Sequence, residues 1–584
     1  MNRLAPVTIL LSLATTLPWA GCQPTDDWVP RQESDPEVEE IARKLEARAE
    51  SLAIKDTIGS LAWLQGMQPM RVRGYGIVVG LGEAGSRECP PEIRNSLIQE
   101  MRRRHHLGSR TRGLKELSPS DLLSDLDTAV VVVTAEIAGA ATRGTSMDVR
   151  VSALPGAQTK SLEGGYLWRC DLKRFRTAGP TAVIQGKTLA YAEGPVFVNP
   201  FDEEGLPLEE ATPREGVVLG GGTVIVDRGV RLELREPSFQ MAMATARQIN
   251  NHYGHDVKVA DATSPGTIEL HIPRAYCGRE DYFLSLVTHL LPREPPQSAE
   301  TRMRALADEL LNPDAPHDDI GLAWETFGQR ALPVIRRLYS DHRPYVNFYA
   351  ARTGIRLDDE AALLVLRRHA HDLQSPHQQE AIRELASAVN FTEAADALRP
   401  LLSHENERVR IMSYQALRER GDRYIRPLRV GAPNFTIDRV RSKEPALIYA
   451  CTGQAQRLAV FGEPACRAPV FYEHRDRLYG LHAGKNSETI TVMRRNAEGQ
   501  LVAEPVEAPL EVVGLAATMG REIREGPDGT APGLNLAYSH VVKALYDLAE
   551  TGTIRTAFHV ETIQDRRWLG PLEPPGRPET DLED

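Results

Sequence analysis

The chain has 584 residues, enough for three or four domains, each with its own core. Its net charge of −11 is spread along the sequence, which argues against nucleic acid as a partner. Beyond residue 17 no apolar run approaches membrane-spanning length, so the mature chain is expected to be soluble apart from any anchor.

The N-terminus reads as an export signal. Arg3 precedes an apolar stretch, residues 4–17 (LAPVTILLSLATTL), and then Pro18-Trp19-Ala20-Gly21-Cys22. Small residues ahead of a cysteine resemble a lipobox, in which Cys22 is lipidated and becomes the mature N-terminus. Its acyl chains would anchor the chain stably, and Gln23 in the next position points to the outer membrane by analogy. The alternative is an ordinary signal peptide cleaved at Ala20 or Gly21. Residues 1–21 are thus taken as the signal peptide and 22–34 as a polar tether.

Ser34-Asp35-Pro36-Glu37 forms a capping box, and Val38, Ile41, Leu45, Ala49 and Leu52 follow at helical spacing, predicting a helix over 35–53. Residues 35–290 read as one α+β body. Strand patterns fall at 75–81, 128–137, 146–153, 188–198, 223–227, 230–235 and 267–273, with helical character at 91–104 and 238–252. Residues 300–425 lose the strand pattern. Ala331 to Leu338, Ala361 to Arg368 and Ala397 to Leu402 recur at a period of about 33, which fits a short HEAT-type solenoid inserted into the body. Strand patterns return across 431–515, at 446–450, 457–461, 488–494 and 508–513. Residues 534–562 are read as a C-terminal helix and β tail, and the Pro-rich, acidic segment 566–584 as disordered. The fold class is therefore α+β: a β-rich, multi-domain body with an inserted helical repeat block.

Nothing in the sequence assembles a catalytic or metal constellation. Gly80-Leu81-Gly82-Glu83-Ala84-Gly85 matches GxGxxG, but Ser86 to Pro91 separate it from the next helix, and no acidic strand end follows at the required distance. A tight turn needing positive φ explains these glycines without a cofactor. The histidines near acids, His252 with His255 and His369 with His371, lack convergent spacing for a metal. A hydrolase using Cys89 or Cys277 as nucleophile lacks an elbow or oxyanion loop around either residue. Apart from Cys22, five cysteines remain; Cys451 and Cys466 are the best candidates for a disulfide, since an exported chain sits where disulfides persist. The basic run Arg102-Arg103-Arg104-His105-His106 reads either as a solvated helix end or as an interface for an acidic neighbour.

Several motifs, in order, resemble the flagellar P-ring protein family. Lys55-Asp56, Ile58, Gly66 and the run Gly74-Tyr75-Gly76-Ile77-Val78-Val79-Gly80-Leu81-Gly82 carry the family's opening pattern. Val130 to Ala135, Gly144 to Ser152, and Lys160-Ser161-Leu162 with Gly164-Gly165 and Leu167 resemble its central strands and KSLxGGxL turn. Leu189 to Gly194, Pro237-Ser238-Phe239 with Ala244-Thr245 and Ile249-Asn250, and Thr267 to Pro273 continue the likeness, as does Val541 to Phe558 near the end. The resemblance implies a non-catalytic ring subunit without metal or cofactor. Its expected partners are further copies of itself, the flagellar rod, the L-ring protein and peptidoglycan, with the outer membrane reached through the lipid. It also implies structural turn roles for Gly74, Gly76, Gly80 and Gly82, and Arg102, Arg103 and Arg104 become the expected interface. The helical block and the lipobox depart from the family pattern. An envelope lipoprotein scaffold that binds partners through its helical repeats is the alternative reading.

Overall fold

The computed structural model describes residues 47–565, apart from 104–117, 175–185, 203, 209–212, 255–256, 294–297, 432–434, 444, 454, 476, 497, 524–531 and 563–564. The expected signal peptide and tether, with Cys22, most of the helix expected over 35–53 and the tail 566–584 lie outside these residues.

A short strand β1 (Ala62–Gln65) leads into β2 (Met70–Val79). Helix α1 (Pro91–Arg103) follows, then β3 (Thr128–Ile137), β4 (Ser146–Ala153), β5 (Tyr166–Arg174), β6 (Thr188–Pro195) and β7 (Glu215–Val224). Strands β2 to β7 close a barrel in the order β2–β3–β4–β7–β6–β5. Its longest seam pairs β2 with β3 without interruption, from Met70 opposite Ile137 to Val79 opposite Thr128. The run Thr128-Ala129-Val130-Val131-Val132-Val133 is apolar on both faces for a physical reason. Val131 and Val133 fill the barrel with Val72, Val151 and Leu167. Val130 and Val132 face outward, where Leu97 of α1 roofs them together with Leu122 and Leu123.

A second layer adjoins the barrel. Strands β8 (Val230–Leu234), β9 (Ala260–Ala262) and β10 (Thr267–Leu270) join β1 in the order β1–β8–β10–β9. Helix α2 (Phe239–Tyr253) starts at Ser238, whose hydroxyl accepts from the Met241 amide at 3.3 Å. Its Ala242, Ala246 and Ile249 pack on Leu232 and Ile268, together with Phe283 and Val287 of α3 (Glu280–His289).

Seven longer helices follow: α4 (Ser298–Leu310), α5 (His317–Phe327), α6 (Pro344–Arg356), α7 (Ala361–His371), α8 (Gln378–Ser387), α9 (Thr392–Leu398) and α10 (Glu407–Glu419). They bury two cores. One, around Trp324, joins α4, α5 and α6. The other runs from Phe348 of α6 to Tyr414 of α10 and continues into the next sheet. That sheet holds β11 (Ile425–Val430), β12 (Phe435–Val440), β13 (Leu447–Cys451), β14 (Arg457–Phe461) and, last in the chain, β19 (Ala557–Val560), in the order β11–β12–β14–β13–β19. β12 runs parallel to β14, and β13 parallel to β19. A four-stranded antiparallel sheet, β15 (Val470–Glu473) to β16 (Tyr479–Ala483), β17 (Thr489–Arg494) and β18 (Val506–Pro509), precedes α11 (Val512–Gly520) and α12 (Tyr538–Glu550). Phe197 and Phe201, from the β6–β7 connection of the barrel, enter the core that α11 and α12 share with this part of the chain. Phe197 meets Tyr538 at 5.5 Å, and Phe201 meets Tyr546 at 5.2 Å.

The fold is α+β with a helical-repeat block, in agreement with the sequence reading. Two local expectations differ. The strand expected at 508–513 stops at Pro509, and Val512 begins α11; its run VVGLAATMG is buried on every side, so it shows neither alternation nor an amphipathic stripe. Cys451 and Cys466 do not form a disulfide. They lie in different cores: Cys451 faces the helical core beside Tyr449, whereas Cys466, beyond the end of β14, lies in the core on the other side of the sheet.

The insertion is tied to the body by buried charge. Arg356 of α6 donates to Glu384 of α8 at 3.0 Å and to Glu325 of α5 at 3.1 Å, and Glu325 also accepts from Tyr282 of α3. Glu325 and Glu384 are only 5 % and 3 % exposed. Asp319 of α5, 1 % exposed, takes Arg48 at 2.8 Å and His289 of α3 at 3.1 Å. Arg356→Met is expected to destabilise the chain by about 3–5 kcal/mol in urea unfolding, because two buried carboxylates lose their cation. Adding Glu325→Gln and Glu384→Gln should restore part of that loss; an unchanged midpoint in the single variant would contradict the latch.

Candidate functional site

The glycine-rich segment serves the barrel in two different ways. Gly80 and Gly82 lie just past β2 with φ of +81° and +60°, in open space, so there the demand is on the backbone alone. Asp127 pins this turn: its carboxylate accepts from the Gly82 amide at 2.7 Å and the Gly80 amide at 3.3 Å, and its carbonyl from the Leu81 amide at 3.0 Å. Helix α1 starts only at Pro91, well past Gly85. The amides of the GxGxxG segment therefore do not open a helix that could cradle a pyrophosphate.

Gly74 and Gly76 correct the expectation of a turn role. They sit mid-strand in β2, outside the positive-φ region. A Cβ on Gly74 would lie 2.3 Å from the Asp171 carbonyl and 2.8 Å from the Cys170 sulfur, and one on Gly76 would lie 2.8 Å from a Leu167 methyl. The cause is close approach of β5, whose pairing with β2 is interrupted between Arg73 and Val78. At Gly74 the obstacle is backbone, so glycine is needed there; at Gly76 it is the end of the Leu167 side chain, which would have to shift.

The KSLEGG turn holds the second junction, which the motif reading left as an unspecified position. Glu163 accepts from the Ser539 hydroxyl and pairs with His540 at 3.3 Å, both in the first turn of α12. The barrel is thereby fastened to the C-terminal helix. Gln456 adds a bond to the Pro195 carbonyl at 3.3 Å. Between the barrel wall and the C-terminal sheet lies a cleft of about 1220 Å³, with Arg71, Arg73 and Arg150 on one side and Thr452 and Glu561 on the other. Groups on both sides of it are engaged internally. Arg71 pairs with Glu136 at 2.7 Å, and Glu561 accepts from the Thr452 and Gly453 amides at 2.9 and 2.6 Å.

Arg102 and Arg103 are exposed in the last turn of α1, where the helix dipole favours cations; Arg104 lies outside the described residues. Cys89 borders a cleft of about 430 Å³ beside Arg87, Leu154 and Ala157, and burial raises its thiol pKa, the opposite of what a nucleophile needs. Cys277 is exposed. Burial pushes Cys451 and Cys466 up to about 12. Among the described residues no three His, Cys, Asp or Glu side chains are grouped to hold a metal ion.

The architecture is thus an α+β barrel body joined to a helical-repeat block and a second, two-sided sheet. Comparison with known proteins shows what parts of the chain are similar to. Residues 57–299 match the flagellar P-ring protein family, and residues 370–442 match HEAT repeats. The chain is 30 % identical over 252 residues to a flagellar P-ring protein of Bradyrhizobium diazoefficiens, covering 41 % of this chain and 61 % of the relative. It is 30 % identical over 274 residues to that of Geobacter metallireducens, covering 45 % and 66 %. With that of Geobacter sulfurreducens it shares 26 % over 332 residues, covering 55 % and 84 %. The chain spans just over three fifths of the length of the first of these relatives and just under two thirds of the second. The resemblance read from the motifs therefore holds: residues 57–299 match the P-ring family model, and the HEAT-repeat match begins within the helical block, at residue 370.

Two glycine substitutions separate the two roles. Gly80→Ala should cost about 1–2 kcal/mol through its left-handed backbone. Gly74→Val should cost more, at or above the roughly 1–3 kcal/mol of ordinary overpacking, because the obstacle is backbone. Thermal unfolding of the two variants checks the order; equal losses would mean that β5 yields.

Proposed function

We propose that this protein is a structural subunit of a flagellar P ring, assembling with copies of itself around the rod in the cell envelope and performing no catalysis. The observation that carries this reading is the P-ring-family match over residues 57–299, the stretch that forms the barrel and its adjoining layer. Ring closure needs one face of each subunit to dock on a different face of the next. Arg102, Arg103 and Arg104 are the proposed interface, with the L-ring protein and peptidoglycan as further neighbours. In this reading Cys22 carries lipid and holds the subunit at the outer membrane from the periplasmic side. Among the described residues no helix is long and apolar enough to cross a membrane.

The rival reading is an envelope lipoprotein that binds partners through its helical repeats. One observation weighs against it: a face of the repeat block is already covered by the chain's own sheet, through Leu447, Tyr449 and Phe461.

Deletion of the gene should abolish swimming and leave growth unchanged; normal motility would refute the flagellar role. Reversal of Arg102, Arg103 and Arg104 to Glu should abolish ring formation in purified basal bodies while shifting monomer stability by less than about 1 kcal/mol, since exposed charges contribute little. Mass spectrometry of the mature N-terminus should find a lipid-modified Cys22; an unmodified terminus at Gly21 or Gln23 would leave a plain secreted protein.

A further inference from the structure

The helical block contains a group of three histidines that the assembly reading does not use. His317 begins α5, His369 lies in the last turn of α7, and His377 immediately precedes α8. His377 lies flat on Phe348 of α6, with ring centroids 4.4 Å apart and planes within 2°. His369 meets the same Phe348 ring edge-on at 5.5 Å and stands 6.0 Å from His377. His317 stacks on Tyr349 at 5.0 Å, and Tyr349 meets His377 at 5.6 Å. One continuous stack therefore joins α5, α6, α7 and the start of α8, and three of its five rings are imidazoles.

In its neutral form the central imidazole is hydrogen-bonded at both ring nitrogens. His369 is 6 % exposed. Its Nε2 donates to the Asn347 side-chain oxygen at 2.6 Å, and its Nδ1 accepts from the Ser375 hydroxyl at 2.7 Å. A second proton on Nδ1 would meet the Ser375 hydroxyl oxygen, which already accepts from the His377 amide at 3.3 Å.

We propose that this group is an acid-sensitive joint: with its imidazoles neutral it locks α5 to α8 into one body, and on protonation it loosens them while the barrel stays folded. The charges that face it are mixed. His377 Nδ1 lies 3.0 Å from the Glu380 carboxylate of α8. His369 faces Asp372, which favours its charge, and Arg368 and His377, which oppose it. His317 faces Asp318 of α5, and its Nε2 lies 3.0 Å from the Asn312 carbonyl; both favour charge, while Arg352 of α6 and His377 oppose it. Once one imidazole is charged, the like charge opposes the next, so further protonation is more easily accommodated by opening the stack than within it.

Burial sets the direction and the pH window. It lowers His317 and draws His369 down to about 4. A folded-state value below the ordinary value of about 6.5 means that the stabilisation is complete above about pH 6.5 and is lost as pH falls towards about 4.

Hydrogen–deuterium exchange of the full chain, stepped from neutral to acid and corrected for intrinsic rates, reads the helical block and the barrel separately. Histidine C2-proton exchange reads the charge on His369 directly. Peptides within residues 344–387 should lose protection roughly tenfold per pH unit across the window, while peptides of the barrel strands hold. His377→Phe keeps a ring on Phe348 that cannot be charged, and it should move the loss to lower pH; His317→Phe is the second variant should the first not fold. Barrel and helices opening together, or a variant profile superimposable on the parent's, would overturn the proposal.

Discussion

Burial on both faces of the C-terminal sheet is the constraint on which the rest of the molecule depends. β13 and β14 turn Leu447, Tyr449, Cys451, Ala459 and Phe461 to one side and Ile448, Ala450, Leu458 and Val460 to the other, all fully buried. A sheet of that composition cannot face water on either side. Helix α10 and its neighbours cover the first face; α11 and α12 cover the second. The helical block is therefore a structural requirement of the strands that follow it. Burying one large apolar side chain contributes about 1.5–3 kcal/mol, so a single uncovered face would remove an amount comparable to the net stability of a domain.

Polar contacts then select one arrangement among those that apolar burial permits. Asp438 is fully buried in β12 and accepts from the Tyr414 hydroxyl at 2.6 Å and the Arg418 guanidinium at 2.7 Å, which sets how α10 lies on the sheet. At the other end of the block, Asp319 pairs with His289 and Glu325 accepts from Tyr282, which fixes α5 against α3. Buried ion pairs of this kind contribute little net energy relative to apolar replacements, yet breaking one is costly. Their effect is on geometry: a shifted helix leaves a charge without its partner.

What the sequence made legible follows from how locally each feature is determined. The run Thr128 to Val133 announces a strand buried on both sides, and the positive φ of Gly80 and Gly82 is a local demand of a tight turn. The crowding at Gly74 and Gly76 is not local. It arises only when β5 closes on β2, and β5 (YLWRCDLKR) mixes charged and apolar residues without a clean alternation. The separation of Cys451 from Cys466 has the same origin, since residue spacing says nothing about which core each thiol enters. The role of Glu163 within KSLEGG is not legible locally because its partners, Ser539 and His540, lie far along the chain. Helix α11 was hidden because a helix buried all round carries no amphipathic stripe.

The connections form a closed circuit. The barrel leads to the β1–β8–β10–β9 layer, that layer to the helical block through Glu325 and Asp319, and the block to the C-terminal sheet through Asp438. The sheet's companion helix α12 returns to the barrel at Glu163, while Phe197 and Phe201 of the barrel enter the C-terminal core. A chain joined only end to end could bend at any one linker. Here bending at one junction must strain another, because each part is held at two places. The helical block, placed between two of the junctions, is held at both of its ends.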